Sequence, residues 1–302
     1  MKFKNKKIAA TAAILALSIT ATIAGPVVID GTDANDHGSA SGGVNFTGWL
    51  YMQKALSNLA PQVGNGNKVI VDLGTTSGTQ AGDAISSAFT GSGLSGSGWS
   101  ILHVDGAANI SSFLTGGTVG GASLANTGLI YLPTYNNASG DLAADEMAVI
   151  NANAAVIASF VGGAGIPALG GGLFAMGESN SGTNTGAYGW LNTLVGGIAV
   201  TDQTTGGVNN PLSLTAGGIA DFPGLTNADL SAGPWHANFS GNLGSLQVLA
   251  TSPDAAGVSR NVIIGGGAGT VITNSVPDSG ATFAMLGIAM SGIAGLRRKL
   301  GV

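Results

Sequence analysis

The positions of the basic residues divide this chain into three parts that obey different physical rules. Seven of its ten Lys and Arg side chains lie within the first seven and the last six residues. The long interval 25–275 holds 14 acidic and three basic side chains, so its net charge is −11. Because that charge repels a phosphate backbone, nucleic acid is not an expected partner.

The middle part has the composition of a folded domain. Of 302 residues, 44% are hydrophobic, 8% are charged and 52 are Gly. This apolar fraction is ample for a core, and the length suits one or two domains. The chain has no Cys, so disulfides and thiolate nucleophiles are excluded. We expect a Gly-rich acidic ectodomain over residues 25–270.

The first 24 residues have the three-part pattern of a signal peptide. Four lysines within the first seven residues precede the apolar run Ile8 to Ile23, and Ala24 offers a small residue for cleavage. An uncleaved anchor is the alternative. The apolar run is short and rich in Ala and Thr, and a strand-like run begins at Val27, so we predict cleavage and export.

The last 32 residues, 271–302, combine a linker, an apolar run and a basic end. The linker 271–280 contains Val276, Pro277, Asp278, Ser279 and Gly280, the uncharged run is 281–296, and the basic end 297–302 holds Arg297, Arg298 and Lys299. Such a run predicts a transmembrane helix whose cations stay in the cytoplasm while the Pro-containing peptide remains outside. It is shorter than the usual span of about 20 residues. This favours a transient hold over the alternative, a permanent single-pass anchor.

The tail from Val276 to Val302 resembles the VPDSG variant of the PEP-CTERM sorting signal. The resemblance implies recognition of residues 276–280 by an exosortase, a membrane-embedded transpeptidase-like enzyme of Gram-negative bacteria. It also implies a membrane-tethered precursor, a final place at the cell surface, outer membrane or extracellular matrix, and association with exopolysaccharide and biofilm. From this we expect an exported surface protein whose ectodomain is noncatalytic and needs no cofactor.

Apolar runs that end in a carboxylate or Gly alternate with helical periodicity along the ectodomain. This alternation predicts an α/β fold with a mostly parallel sheet and helices on both faces. The runs are Val27 to Asp30, Lys68 to Gly74, Trp99 to Asp105, Gly128 to Pro133, and Gly171 to Glu178.

Two helices and a looser extension complete this prediction. Apolar residues at offsets 0, 3, 7, 10 and 14 from Trp49 and again from Met147 predict two one-sided helices. After Gly189, short apolar runs either complete the sheet or extend it in antiparallel fashion. A Gly-rich all-β solenoid or sandwich is the competing fold, although no fixed repeat supports it.

The element order over residues 27–265 loosely resembles the flavodoxin-like architecture of class I glutamine-amidotransferase-like proteins. Catalytic members of that group have a Cys nucleophile in a turn after a strand. Here the corresponding turn reads Met176-Gly177-Glu178-Ser179. The resemblance therefore implies a fold without amidotransferase chemistry.

Acidic residues at strand ends form the candidate ligand rim. In open α/β sheets, ligands bind beyond the carboxyl ends of the strands, where a cation or a polyhydroxyl compound would suit these side chains. The alternative is that they cap helices and close turns. The segment Asp33 to Gly38 has the early spacing of a calcium loop, but Val44 stands where the terminal Glu belongs, and no metal is assigned. The rim comprises Asp30, Asp33, Asp36, Asp72, Asp105, Glu178 and Ser179.

A secreted hydrolase with a strand-end site around Glu178 and Ser179 is the alternative function. Its nucleophile would be Ser179, its base His236 or His103, and its orienting acid Asp105 or Asp229. No motif holds these residues together. Trp235 could stack on a sugar or lie buried at the sheet edge, and burial is the expectation.

Overall fold

The computed structural model describes residues 25–135, 140–162, 170–177, 186–202, 211–231 and 235–266. Within them lie twelve strands and eight α-helices. The strands are β1 (Val27–Asp30), β2 (Gly38–Ser41), β3 (Val44–Thr47), β4 (Val69–Leu73), β5 (Ser100–Val104), β6 (Leu129–Leu132), β7 (Gly172–Met176), β8 (Ile198–Asp202), β9 (Ser213–Leu214), β10 (Ala237–Gly241), β11 (Gln247–Pro253) and β12 (Ser259–Gly266). The helices are α1 (Gly48–Leu59), α2 (Gln80–Ser92), α3 (Ala107–Leu114), α4 (Ala144–Ala152), α5 (Ala154–Val161), α6 (Leu191–Leu194), α7 (Ala216–Asp221) and α8 (Asn227–Leu230).

Ten of these strands form one mixed sheet. Five neighbouring strands, in the order β5-β4-β6-β7-β1, are parallel. They coincide with the five predicted runs, so the α/β class with a parallel centre is confirmed. The other five strands pair in antiparallel fashion beside β1 and form the predicted antiparallel extension; they are β8, β9, β10, β11 and β12. The combination of helices with a parallel centre rules out the all-β alternative. A separate hairpin pairs β2 with β3.

Helices cover both faces of the sheet. Alternate residues of one strand enter different cores: Val71 and Leu73 of β4 join α3, α4, α5 and α6, whereas Ile70 joins α1 and α2. Parallel strands need such cover because both of their faces are apolar. Buried Met52, Leu56 and Leu59 confirm the apolar face predicted for the first helix.

The second predicted helix is wrong in one respect, because it consists of two helices. The chain bends by 63° between α4 and α5, and Asn153 at the break has φ −104° and ψ 22°. Asn has a weak helix propensity because its side chain competes for backbone hydrogen bonds. Met147, Ile150, Ile157 and Val161 are nevertheless buried, so both halves keep the predicted inward face.

Among the described helices, none by itself has the length and apolar character to cross a bilayer, and α4 with α5 meets that test only as a bent pair. The predicted signal peptide 1–24, the linker 271–280, the transmembrane helix 281–296 and the basic end 297–302 lie outside the described residues.

Candidate functional site

Acidic side chains gather at the edge where the parallel strands end. Asp30 is the last residue of β1, and Asp105 follows β5 directly. Asp72 lies next to last in β4, where the register places it between His103 of β5 and Tyr131 of β6. The carboxyl ends of parallel strands lie at the same edge of a sheet. Three members of the expected rim, Asp30, Asp72 and Asp105, are therefore brought to that edge.

His103 and Asp72 form the closest acid–base pair at this edge. The His103 Nδ1 atom lies 2.7 Å from Asp72 Oδ2. The Thr75 hydroxyl donates to the same carboxylate oxygen. The Asp72 side chain has no exposed surface, whereas that of His103 is 24% exposed. A buried carboxylate therefore holds an imidazole that reaches solvent.

Burial and hydrogen bonding shift the pKa values of this pair. Burial raises the pKa of Asp72, although the hydrogen bonds from His103 and Thr75 partly oppose that effect. The hydrogen bond to Asp72 raises the pKa of His103, and burial of the ring opposes it only in part. With Asp72 ionised, His103 therefore holds its proton to a higher pH than a free imidazole does.

Asp33 binds the two other histidines. Its Oδ2 atom lies 2.9 Å from His37 Nε2 and 3.3 Å from His236 Nε2. Burial raises the pKa of Asp33, but the hydrogen bonds from His236 and His37 outweigh burial, and the net shift is downward. His236 follows Trp235, which is only 1% exposed. The expected burial of Trp235 is thus confirmed.

The segment Asp33 to Gly38 is arranged as a turn. The Asp36 amide donates to the Asp33 carbonyl, and the Asn35 amide group donates to Thr134 Oγ1 and Asp141 Oδ1, each at 2.8 Å. Across the described part of the chain, no three His, Asp or Glu side chains are placed to hold a metal ion. The residues with the early calcium-loop spacing thus take part in a hydrogen-bonded turn.

Asp30, although a member of the expected rim, is fully buried. Its carboxylate accepts hydrogen bonds from the Thr32 amide and the Thr32 hydroxyl, both at 2.8 Å. The Tyr188 hydroxyl donates to the Asp30 carbonyl at 2.6 Å. Burial raises the pKa of the Asp30 side chain to about 7, despite the lowering effect of the two Thr32 bonds. Asp30 is therefore a poor contact for an external ligand.

Glu146 is a rim residue that sequence reasoning did not assign to the site. Its two carboxylate oxygens accept 2.7 Å hydrogen bonds from the Gly106 and Ala143 amides. Burial is the largest cause that raises its pKa, and a hydrogen bond with Asp105 adds to it. The acidic start of α4 was the available signal, but it pointed only to a helix end.

The hydrolase constellation expected from the sequence is not assembled as proposed. The acid that orients His103 is Asp72 rather than the expected Asp105. The register of β4 and β5 places the side chains of Asp72 and His103 in contact. His236 pairs with Asp33. Asp229 caps α8 through reciprocal bonds with Thr226. Glu178 and Ser179 lie outside the described residues.

Comparison with known proteins identifies one segment. The family model described as the VPDSG-CTERM motif matches residues 275–300, and no curated protein or solved structure matches the chain. The chain therefore combines a mixed α/β fold with a C-terminal sorting signal. It is a sorted, exported protein whose tail resembles the PEP-CTERM signals, and the motif indicates a membrane-tethered precursor.

Proposed function

We propose that this protein is a cell-surface or extracellular-matrix protein of a Gram-negative bacterium that an exosortase processes through its VPDSG tail. The match over residues 275–300 carries the proposal. The partners are the exosortase and, transiently, the membrane. Exopolysaccharide is the proposed neighbour at the destination, because the carriers of similar tails accompany its production.

The order of the three tail parts supports this proposal physically. The apolar run 281–296 partitions into the bilayer, and the cations of the basic end 297–302 resist crossing it. Pro277 biases the preceding Val276 towards an extended conformation. An extended peptide beside the outer face of the membrane is what a membrane-embedded peptidase can bind.

The sorting proposal predicts that Pro277→Ala together with Asp278→Ala blocks removal of the tail. The variant should accumulate in the membrane with the full mass of residues 25–302, whereas the parent should lose Arg297, Arg298 and Lys299. Intact-mass spectrometry of protein from the native host, after membrane fractionation, measures both. The control is Thr273→Ala with Asn274→Ala, which changes the linker outside the motif. Identical processing of both variants would contradict the proposal.

We also propose that the ectodomain is flavodoxin-like. With β4, β5, β6 and β7 counted as strands one to four, and β1 as the fifth, the parallel order is 2-1-3-4-5, the order of that architecture. Here the fifth position is supplied by the N-terminal strand. Its hydrogen bonds to β12 then extend the sheet.

The sorting tail does not define what the folded domain does, and two roles are considered. The first, expected from the sequence, is that of a noncatalytic surface or matrix protein. The second candidate is a secreted hydrolase, and one observation favours it: β7 is parallel to β4, so the strand that leads to Glu178 and Ser179 ends at the same edge as His103.

The Ser179 form of the hydrolase makes its own prediction. Ser179→Ala with Glu178→Gln should abolish any esterase activity of the full chain, because a nucleophile that forms a covalent intermediate cannot be replaced by a methyl group. The measurement is turnover of 4-nitrophenyl acetate by purified protein. Ser181→Ala, two residues further on, is the control and should leave turnover unchanged. Undiminished turnover in the double variant removes this turn from the mechanism.

A further inference from the structure

The three histidines of the chain bind buried carboxylates with different ring nitrogens. His37 and His236 approach Asp33 through Nε2, whereas His103 approaches Asp72 through Nδ1. A carboxylate accepts the N–H of a neutral imidazole, so the contact selects the tautomer. Neutral His103 therefore carries its proton on Nδ1 and its basic lone pair on Nε2.

His103 also lies at the carboxyl edge of the parallel strands, one residue before the end of β5. The chain passes from β4 to β5 on one side and then to β6 on the other side of β4. In open α/β sheets, such a reversal of direction opens a crevice at the carboxyl ends of the strands. His103 lies on β5, one strand to the side of this crevice, with its ring partly exposed and its carboxylate partner on β4 wholly buried.

We propose that His103 is the general base of a hydrolytic site at the carboxyl ends of β4 and β5, acting on neutral carboxylic esters. Nε2 removes a proton from a water molecule while the water oxygen bonds to the acyl carbon. The tetrahedral intermediate then breaks its bond to the alkoxy oxygen, which takes the proton from His103. The products are a carboxylic acid and an alcohol, and the imidazole is neutral again.

Charge and leaving-group chemistry determine the substrate class. Asp105 and Glu146 make the rim acidic, while Lys68 donates to the Ser97 carbonyl near the start of β4 and Arg260 pairs with Asp254. Anionic esters are therefore repelled. Glycoside hydrolysis requires two carboxyl groups on either side of the scissile bond, but Asp105 and Glu146 are hydrogen-bonded to each other. Base assistance to water is sufficient for an ester with a good leaving group.

Asp72 acts as a positioning residue and Thr75 supports it. The carboxylate fixes the ring and stabilises the imidazolium that forms when Nε2 gains a proton. The Thr75 hydroxyl lies on the carboxylate side of the ring, 3.4 Å from Nδ1. It donates to Asp72, and this position separates it from Nε2. Thr75 is consequently not the nucleophile, and water has that role.

The test is turnover of 4-nitrophenyl acetate by the purified full chain. His103→Gln should lower the rate constant at least about 100-fold, the usual contribution of a general base. His37→Gln, which removes a carboxylate-bound imidazole outside this site, should leave it unchanged. A parent rate constant no higher than that of His103→Gln, or an equal loss in His37→Gln, would overturn the proposal.

The pH profile separates the general base from a structural role. The hydrogen bond to Asp72 raises the pKa of His103, and only the neutral ring accepts a proton, so turnover should rise as pH passes through that raised value. Asp72→Asn should move the midpoint to lower pH and lower the plateau. A mutation that merely loosened the fold would lower the plateau without moving the midpoint.

A second measurement holds even if Asp72→Asn does not fold. Nitrogen NMR of the parent chain labelled at histidine should show neutral His103 protonated at Nδ1 and the other two at Nε2. The opposite tautomer at His103 overturns the proposal. The tautomer that NMR reports does not depend on whether the tail is processed. Turnover that persists in a Ser179→Ala variant would separate this mechanism from the Ser179 hydrolase.

Discussion

A Gly31→Ala variant is expected to lose about 3 kcal/mol or more of folding free energy. The added Cβ would lie 2.1 Å from the Ala237 carbonyl oxygen, an atom of the backbone. The Gly31 amide donates to the Val262 carbonyl, and its own carbonyl accepts from the His236 and Ala237 amides. Relief of the clash must therefore break the contact between β1 and the antiparallel strands.

Urea unfolding of the full chain, followed by circular dichroism, measures this loss. Gly96→Ala is the matched control, because its Cβ meets no atom within 4 Å, and its stability should stay within about 0.5 kcal/mol of the parent. Equal stability of the two variants would show that Gly31, which follows β1, and Ala237, at the start of β10, are not in close backbone contact.

An Asp30→Asn variant is expected to remove a pH dependence of stability worth about 3 kcal/mol between pH 4.5 and 7.5. Burial raises the pKa of Asp30 to about 7 in the folded state, against about 3.9 in an unfolded chain. In that window the folded state retains the proton while the unfolded state has lost it. The carboxyl therefore contributes stability at low pH, and this contribution falls as pH rises.

The measurement compares free energies of unfolding at the two pH values. Asn keeps an oxygen that accepts the hydrogen bond from the Thr32 amide. Because Asn has no ionisable group, the stability of the variant should rise relative to that of the parent as pH rises. Asp83→Asn, at an exposed position of α2, is the control for loss of a carboxylate and should follow the parent. A constant difference between Asp30→Asn and the parent across the window would mean that Asp30 is ionised in the folded protein.

Local pattern was sufficient for much of the fold. The five parallel strands begin and end within a residue or two of the predicted runs, since continuous apolar runs bounded by Gly and Asp have few other stable conformations. The inward face of α1 followed from its spacing for the same reason. The break at Asn153 did not follow from the spacing, because both halves keep the same apolar offsets.

The partners within the site depended on contacts between distant residues. Asp105 is nearer to His103 in the chain than Asp72 is, yet β4 and β5 align Asp72 with His103 across 31 positions. The Glu146 contact with the Gly106 amide spans 40 positions. Strand register and loop packing, which no local periodicity encodes, decide such pairs.

Sequence alone determined the sorting tail, the acidic middle and the alternation of strands and helices, because each is a property of neighbouring residues and their charges. Tertiary structure alone decided which carboxylate each histidine binds and with which ring nitrogen. That choice depends on the positions of atoms within a few tenths of an ångström, and only the packed sheet imposes them.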